Sequence, residues 1–316
     1  MPHRGNMADG AISKEPARRK VPLLARLRLP WRRRAEPEET APHPVAASAV
    51  AATAPRVVLP PPDPVTIRQW LYGPGFVIPG NADYVLELVK QFNLSPAMTM
   101  LDLAAGLGGP ARAIAEAFNT YVTGYERDPD FVARANAAME THGLTRHVQI
   151  SAFDPENFEL RKGFYDHALA REATYCVQQK ERFLRVVNQA LKPFGQLVLT
   201  DFVLDRAAGE RPELEAWIAI QKYKPQLWTL AQYTDCFKSL GFDLRIANDV
   251  TADYRRIMLN GWKEFINRDE IKQLRASQAS TVIDEIERTI KIMAALESGA
   301  LRFYYFLALG GRRRAT

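Results

Sequence analysis

The sequence predicts an α/β fold: a seven-stranded, mostly parallel sheet with helices on both faces and an inserted helical lid. Three observations predict it. From about residue 98 to residue 203, short apolar runs typical of strands alternate with amphipathic stretches typical of helices. A glycine-rich loop lies between the first of these strands and the next helix. The aromatic run 301–309 predicts a last strand, after a long stretch in which helical patterns dominate.

The alternating part of the chain supplies most of the sheet. Two helices come first, at 66–73 and 81–92, and the earlier one ends in a glycine. Five strands and the helices between them follow. The strands are predicted at 98–104, 120–126, 147–152, 164–170 and 195–203, and the helices at 110–118, 129–142 and 178–191.

The lid is predicted from the helical patterns that come next. Thr229 is placed to cap one of its helices, and Gly241 is placed to stop the same helix. Helices are predicted at 211–224 and 229–240, a sixth strand at 243–248, and a mostly helical stretch at 250–297. We therefore expect one domain, 65–316, whose lid lies around 204–240 and 250–297.

Residues 1–64 are rich in Pro, Ala and Arg, and we expect a disordered basic tail. They hold eleven Lys or Arg against six acids, so the rest of the chain is close to neutral. Residues 18–34 combine Leu and Trp with eight basic side chains. This mixture fits an anionic membrane surface, a solvated tail without a specific partner, or a nucleic acid. The neutral body disfavours nucleic acid as a partner.

The chain has only two cysteines, Cys176 and Cys236, and its apolar runs are shorter than a membrane-spanning helix needs. So few cysteines exclude a disulfide framework or a zinc cluster and fit a reducing compartment. The five histidines have no metal-ligand spacing, and we expect no metal site. These features predict a cytoplasmic protein, with peripheral membrane association if the tail binds lipid.

The loop after the first strand predicts an adenosine site. The strand ends near Asp102, and Gly106 and Gly108 follow before the helix begins. Glycines at this point let the backbone approach a ligand closely. The next strand ends in Glu126, where an acid can accept hydrogen bonds from ribose hydroxyls.

Two details favour S-adenosylmethionine over a dinucleotide. The loop lacks the third glycine of the dinucleotide pattern, and Asp102 would repel a pyrophosphate. The same carboxylate suits the ammonium group of a methionine moiety. Phe153 and Asp154, after the third strand, can cover an adenine ring and accept a hydrogen bond from its amine.

With this loop and acid, the chain from about Trp70 to Leu309 resembles the class I S-adenosylmethionine-dependent methyltransferases, whose fold is Rossmann-like. Within the class it is similar to small-molecule methyltransferases of the phosphoethanolamine and sarcosine type. Segments 72–80, 107–112, 199–202, 221–223 and 229–233 carry the resemblance. It implies these cofactor-binding residues: Tyr72, Pro79, Gly80, Asp102, Ala104, Gly106, Gly108, Glu126, Arg127, Phe153, Asp154 and Arg171.

The resemblance implies methyl transfer to a small molecule, with Glu172, Tyr175 and Tyr223 as candidate catalytic residues. Glu172 could instead pair with Arg171 in a structural role. Much of the anion-binding set of phosphoethanolamine enzymes is missing. At its positions stand Arg68, Cys176, Phe202, Trp217, Gln221 and Leu307. We therefore expect a larger, more apolar or amphiphilic acceptor, such as a lipid or its head group.

Two other functions stay open. The missing polar residues fit a catalytically impaired fold that serves as a cofactor-binding scaffold or sensor. A methyltransferase for RNA or protein is disfavoured, because Ala168-Leu169-Ala170-Arg171 stands where an Asn-Pro-Pro-Tyr-like motif would follow the fourth strand. The sequence indicates neither the acceptor atom nor an oligomeric state.

Overall fold

A computed structural model describes residues 62–310 except 273 and 275–278. The prediction for the basic tail thus falls almost entirely outside the described residues. The described part forms one sheet of eight strands. They are β1 (Thr99–Leu103), β2 (Tyr121–Glu126), β3 (Val148–Ala152), β4 (Tyr165–Arg171), β5 (Leu191–Leu204), β6 (Trp228–Thr229), β7 (Asp243–Asp249) and β8 (Leu301–Leu309).

The strand order confirms the predicted α/β sheet. It runs β3-β2-β1-β4-β5-β8-β7, and the two-residue β6 pairs with the end of β5. Strands β1 to β5 are parallel, whereas β8 lies antiparallel between β5 and β7. The aromatic last strand is therefore inserted into the sheet beside β5. The sequence pattern missed only β6, which is too short to show a period.

Helices cover the sheet and form the lid. They are α1 (Pro64–Tyr72), α2 (Ala82–Val89), α3 (Gly109–Phe118), α4 (Pro129–Thr141), α5 (Lys180–Ala190), α6 (Pro212–Ile218), α7 (Leu230–Ser239), α8 (Thr251–Phe265), α9 (Asp269–Lys272) and α10 (Ser280–Glu297). Side chains cap several of them, and one of these caps, at Thr229, is predicted from the sequence. Thr229, for example, forms a capping box with Gln232 at the start of α7.

The helix predicted at 211–224 is too long, because α6 already ends at Ile218. Pro225 disfavours helical backbone in the residue before it. The loop between them is held by contacts outside the lid: Lys222 Nζ lies 2.8 Å from Asp128 Oδ2, and the Tyr223 ring packs on Arg127. These contacts replace the helical hydrogen bonds that the sequence pattern favours.

The centre of the sheet is buried on both faces. In β1, Met100, Leu101 and Leu103 have no exposed surface, and Ala168 and Leu169 in β4 are equally buried. Parallel strands covered by helices on both sides lose the alternation of polar and apolar residues. This rigid centre fixes the carboxyl ends of β1 and β4. None of the helices described here is long and apolar enough to cross a bilayer.

Candidate active site

The strand order reverses at β1, which creates a crevice. Strands β2 and β3 lie on one side of β1, and β4 and β5 lie on the other. The helices that follow β1 and β4 therefore leave the sheet in opposite directions. In open α/β sheets, ligands bind at this switch point, outside the carboxyl ends of the strands.

The glycine loop enters the crevice directly after β1. Its backbone is left-handed at three positions, with φ of 61° at Ala104, 58° at Gly106 and 78° at Gly108. The Gly106 amide donates a hydrogen bond of 2.9 Å to Glu126 Oε2. A left-handed alanine is uncommon outside sites where the surroundings impose it. The loop is thus held to the acid at the end of β2.

A second contact joins the loop to residues 72–80, the cover segment. The Gly109 amide donates to the Gly75 carbonyl oxygen at 3.1 Å. A Cβ on Gly109 would lie 2.5 Å from the same oxygen. The two backbone segments therefore lie too close together for any residue other than glycine at this position. Tyr72 in this segment is buried, and burial raises the pKa of its hydroxyl. The segment closes one side of the crevice.

Asp102 and Arg171 face each other across β1 and β4, and each has a buried polar atom without a partner. Asp102 is 1% exposed and Arg171 is 3% exposed. Among the described residues, Asp102 Oδ2 and Arg171 Nη1 have no hydrogen-bond partner. Arg171 Nη2 donates to the Pro79 carbonyl oxygen at 2.5 Å, which ties the cover segment to β4. Burial raises the pKa of Asp102 to about 7, although the Arg171 charge lowers it.

Gly80 explains why the cover segment can lie this close to Arg171. Its φ is 107°, and a Cβ there would lie 2.3 Å from the Tyr84 ring and 2.9 Å from Arg171 Nη2. No other residue type fits this position without moving one of these side chains. The sequence resemblance had placed Pro79 and Gly80 at the cofactor, and both line the Arg171 side of the crevice.

Glu126 is oriented by two backbone amides. Besides Gly106, the Asp128 amide donates to its Oε1 at 2.9 Å. Each carboxylate oxygen keeps a further lone pair that can accept a ribose hydroxyl. The next residue, Arg127, does not line this acid: its guanidinium lies 3.3 Å from the centroid of the Tyr223 ring. Arg127 therefore holds the lid loop, and its role toward a cofactor stays a prediction.

Phe153 and Asp154 follow β3 at the same edge of the sheet. The Phe153 ring packs against Tyr125 at 5.7 Å and Phe158 at 5.2 Å between centroids. Asp154 is exposed, and its Oδ1 accepts from the Glu156 amide at 3.0 Å. Their place beside Glu126 fits an adenine site. Their part in binding adenine stays a prediction.

Glu172 lies on the acceptor side of the crevice, directly after β4. Its backbone has φ 49°, and its amide donates to the Thr200 carbonyl oxygen at 2.7 Å. The Tyr254 hydroxyl donates to its carboxylate at 2.9 Å. Burial raises the pKa of Glu172 to about 7, although Arg171 and the Tyr254 hydroxyl lower it. A carboxyl group with this pKa can accept and release a proton near neutral pH.

Aromatic rings pack beside Glu172. Phe202 is the centre of the group, with centroid distances of 5.2 Å to Tyr175, 5.1 Å to Trp217 and 5.7 Å to Tyr254. Tyr175 donates from its hydroxyl to Gln221 Oε1 at 3.3 Å. This apolar cluster lies beside the half-buried Glu172. Glu172 and Tyr175 thus lie in the same part of the site, and their catalytic roles stay predictions.

Tyr223 lies elsewhere. Its ring packs on Arg127, and its carbonyl oxygen accepts from the Cys176 thiol at 3.1 Å. In the described part of the chain, it makes no hydrogen bond to Glu172 or Tyr175. A role for Tyr223 near the reacting atoms therefore stays a prediction that this arrangement does not support. Its contacts instead place it between the lid and the end of β2.

Lys180, which the sequence analysis did not single out, fastens the lid loop. It is fully buried, and its Nζ donates to the carbonyl oxygens of Val177 at 3.0 Å and of Gln226. Burial lowers its pKa to about 8. Because Gln226 precedes β6, this side chain joins the loop after β4 to the lid. Nothing in the spacing of the sequence indicates such a contact between residues 46 positions apart.

An open cavity of about 350 Å³ lies outside the crevice. It is lined on the far side of the glycine loop by Gln69, Gly108, Arg112, Arg134 and His142, among others. Neither Asp102 nor Glu172 contributes to it. Its position behind α3 separates it from the carboxyl ends of β1 and β4. We therefore assign the cofactor to the crevice.

The comparison with known families agrees with this geometry. Residues 94–241 match the family model described as a methyltransferase domain. That segment spans β1 to β5, the glycine loop and Glu126. This part of the chain is thus similar to methyltransferase domains. S-adenosylmethionine, the cofactor of such domains, fits the crevice: Asp102 Oδ2 can accept from the ammonium group, and Arg171 Nη1 can donate to the carboxylate.

Curated relatives share part of this domain's sequence. Phosphoethanolamine N-methyltransferase 2 of Caenorhabditis elegans is 26% identical over 193 residues, covering 60% of this chain and 43% of that protein. Phosphoethanolamine N-methyltransferase of Plasmodium falciparum is 20% identical over 225 residues, covering 70% and 82%. The chain spans less than half the length of the first of these relatives.

Solved structures share the fold. The structure of Haemonchus contortus phosphoethanolamine N-methyltransferase 2, with phosphomonomethylethanolamine and S-adenosylhomocysteine, has a TM-score of 0.70 at 19% identity. It is matched over 78% of this chain and 57% of that one. Geranyl diphosphate C-methyltransferase of Streptomyces coelicolor has a TM-score of 0.58 at 13% identity, covering 72% and 76%. The methyltransferase fold is thus common to enzymes with different acceptors.

Proposed function

We propose that this protein transfers a methyl group from S-adenosylmethionine to a small or amphiphilic acceptor. The observation that carries the proposal is the pair Asp102 and Arg171, each with a buried polar atom free for a ligand at the switch point of the sheet. Buried polar groups without partners are rare in stable proteins. An amino-acid moiety would satisfy both at once.

The bound cofactor supplies a methyl group on a positively charged sulfur, already activated for transfer. The chain's own residues have to align the acceptor and exclude water. The cover segment, tied to β4 by Arg171 and Pro79, closes one side. The rings around Phe202 close the other. Glu172 lies between them and can remove a proton from the acceptor.

An amine is the acceptor that this site fits best. A half-buried carboxylate beside aromatic rings stabilises a cationic group, and Glu172 can take the proton that an ammonium must lose before its nitrogen attacks. The printed names of the curated relatives, which are N-methyltransferases, agree with an amine acceptor. The nitrogen–methyl bond forms as the sulfur–methyl bond breaks, and the bonding pair of the broken bond stays on sulfur.

Two arginines lie on the same side as Glu172. Arg68 Nε on α1 and Arg288 Nε on α10 lie 3.0 Å and 3.6 Å from the buried Glu285 carboxylate. The Arg288 charge lowers the pKa of Glu172. Since one acid holds two guanidinium groups, the cluster keeps a net positive charge. It supports an acceptor that carries an anionic group as well as an amine.

Calorimetry tests the cofactor half of the proposal. We expect S-adenosylmethionine to bind the wild-type protein, and Asp102→Asn to weaken binding about 10- to 100-fold, since a charge-assisted hydrogen bond is lost. Asp235→Asn, an exposed acid on α7, is the matched control and should bind as wild type does. Equal affinity in all three proteins would contradict a site at Asp102.

Methyl transfer tests the other half. The protein is incubated with labelled S-adenosylmethionine and, in separate reactions, phosphoethanolamine, ethanolamine, sarcosine, a lipid extract and an RNA extract. We expect product with an amine, and loss of at least 10-fold in rate in Glu172→Gln. Cofactor binding without any labelled product would instead favour the scaffold or sensor. Labelled RNA would favour the nucleic-acid enzyme.

We also propose that the basic segment 18–34 holds the protein at an anionic membrane surface, where an amphiphilic acceptor would be presented. Its eight basic side chains and its Leu and Trp residues support this proposal. Vesicles of phosphatidylserine and phosphatidylcholine should bind the full chain more tightly than a protein without residues 1–60. Tighter binding by the full chain would support a cytoplasmic protein with peripheral membrane association. Equal binding by both proteins would exclude the tail as the membrane contact.

A further inference from the structure

Tyr254 is the single hydrogen-bond donor to Glu172 among the described residues. Its hydroxyl lies 2.9 Å from Oε1, and its side chain is 2% exposed. The two residues are 82 positions apart in the chain, on α8 and at the end of β4. Because no second donor fixes the carboxylate, its direction depends on where α8 places this tyrosine.

The start of α8 is fastened to β8 by two hydrogen bonds. The Val250 amide donates to the Phe303 carbonyl oxygen at 2.8 Å, and the Phe303 amide donates to Thr251 Oγ1 at 2.9 Å. One turn later, the Tyr254 amide donates to the Val250 carbonyl oxygen at 2.9 Å. The Tyr254 ring then stacks on the Phe303 ring, with 3.9 Å between centroids. The position of the tyrosine is thus set by β8.

Glu172 is fixed from the other side. Its amide donates to the Thr200 carbonyl oxygen of β5, and its left-handed backbone turns the side chain out of the strand. Strands β5 and β8 are adjacent, with Phe202 opposite Phe303. Both ends of the Tyr254–Glu172 hydrogen bond therefore depend on the same strand pair. A left-handed non-glycine residue is retained only where the surroundings impose it.

We propose that Tyr254 is a positioning residue that orients the Glu172 carboxylate toward the acceptor and keeps it able to accept a proton. This inference rests on the proposed function, because Glu172 acts as a proton acceptor only if the acceptor loses a proton. The Tyr254 hydroxyl donates to the Glu172 carboxylate, so its effect on the reaction passes through that group.

Charged and titratable groups from several elements act on Glu172. Arg171 on β4 and Arg288 on α10 favour the charged carboxylate, and Asp201 on β5 disfavours it. Tyrosine hydroxyls surround it from α1, α2, the loop after β4 and α8, at Tyr72, Tyr84, Tyr175 and Tyr254. Of these, only Tyr254 donates a hydrogen bond to it. Removing that hydroxyl leaves the surrounding charges in place.

The variant Tyr254→Phe keeps the ring and removes the donor. Because a hydrogen bond to the charged form holds a carboxyl pKa down, its loss should raise the pKa of Glu172 by about one unit. The acid limb of the pH–rate profile should move to higher pH by the same amount. At pH 7 the rate should fall about 5-fold, while KM for S-adenosylmethionine stays within about 2-fold of wild type.

The experiment combines two readouts on the full chain. Infrared difference spectra against Glu172→Gln follow the protonation of this one carboxyl group in protein without cofactor. Methyl transfer to phosphoethanolamine, ethanolamine and sarcosine gives the pH–rate profile. The matched control is Tyr305→Phe, which removes another buried tyrosine hydroxyl that hydrogen-bonds Gln91, away from Glu172. Circular dichroism verifies that both variants are folded.

An upward shift of the Glu172 titration in Tyr254→Phe, absent from Tyr305→Phe, supports the proposal. The same midpoint in wild type and Tyr254→Phe overturns it, as does equal loss of rate at all pH values without a shift. If the wild-type protein transfers no methyl group to any acceptor, the proposed function fails. The infrared titration then still reports whether Tyr254 controls Glu172.

Discussion

Asp102 is a buried carboxylate and Glu172 is a half-buried one, and the two are suited to different tasks. Both have a pKa raised to about 7 by burial, and each lies within the influence of Arg171. Asp102 keeps an oxygen without a partner, so a ligand cation can complete its hydrogen bonding. Glu172 already accepts from Tyr254, so it is oriented before any acceptor binds. The first residue is therefore suited to binding and the second to proton transfer.

We predict that Asp102→Asn changes how stability depends on pH. An aspartate has a pKa of about 3.9 in the unfolded chain, so between pH 4 and 7 the folded protein binds the extra proton. This contribution to stability is present at low pH and is lost as pH rises through about 7. The asparagine removes it. In cofactor-free protein, the melting temperature of the variant relative to wild type should rise from pH 5 to pH 8.

The comparison is made by calorimetric melting at both pH values, with Asp235→Asn as the control. The melting temperature of the exposed control should follow that of wild type across the pH range. If the melting temperature of Asp102→Asn also follows that of wild type, the carboxyl group of Asp102 stays charged at both pH values. The raised pKa of Asp102 would then be wrong.

The glycine loop and the cover segment act together as one element of the site. The helix α3 begins at Gly109, where the backbone of Gly75 lies against it. This contact and the Arg171–Pro79 hydrogen bond are the two links that close the crevice from this side. Since the cover segment contributes a backbone oxygen to each link, its side-chain composition matters less than the absence of a Cβ.

We predict that Gly109→Ala separates the cover segment from the loop. An alanine would normally favour a helix, but here its Cβ would lie 2.5 Å from the Gly75 oxygen. The free energy of unfolding should fall by about 1–3 kcal/mol, as in other overpacked sites, and S-adenosylmethionine should bind at least 10-fold more weakly. Urea unfolding and calorimetry measure the two effects.

Gly143→Ala is the matched control for this variant. A Cβ at Gly143 meets nothing within 4 Å, although its φ of 67° makes an alanine strained by about 1–2 kcal/mol. It should lower stability without changing cofactor affinity. If Gly109→Ala also lowers stability without changing cofactor affinity, the affinity does not depend on the close approach of the two backbone segments.

For the molecule as a whole, the described residues include every residue that the sequence predicts for the cofactor. The residues predicted for the cofactor lie between 72 and 171, and each of them is in the described part. The buried centre of the sheet and the caps of the helices also belong to it. Residues 1–60 hold most of the chain's excess positive charge and none of these predicted contacts.

We predict that removing residues 1–60 leaves the fold and the cofactor site intact. The truncated protein should match the full chain in melting temperature within about 2 °C and in affinity for S-adenosylmethionine within about 2-fold, because no predicted cofactor residue is lost. Differential scanning calorimetry and isothermal titration give both values. A weaker cofactor affinity in the truncated protein would show that the tail contributes to the site.

Local patterns in the sequence predicted the strands of the sheet because their apolar runs and turn residues are contiguous. They also predicted the glycine loop and Glu126, since a tight turn and a strand-end acid lie at a short, fixed spacing. The lid was harder to predict from local patterns. The helix predicted at 211–224 ends at Ile218, because Lys222 and Tyr223 contact Asp128 and Arg127, which lie far away in the chain.

The sequence by itself determined the α/β sheet and the methyl donor, because the glycine loop and the strand-end acid depend on spacing within one strand–loop–helix unit. Only the tertiary structure decided which groups reach the acceptor side. Tyr254 meets Glu172 across 82 residues, and Arg288 reaches the same carboxyl group from α10. Such contacts depend on how β8 is inserted beside β5 and carries α8 with it. No local period encodes that placement, since packing of distant elements alone sets it.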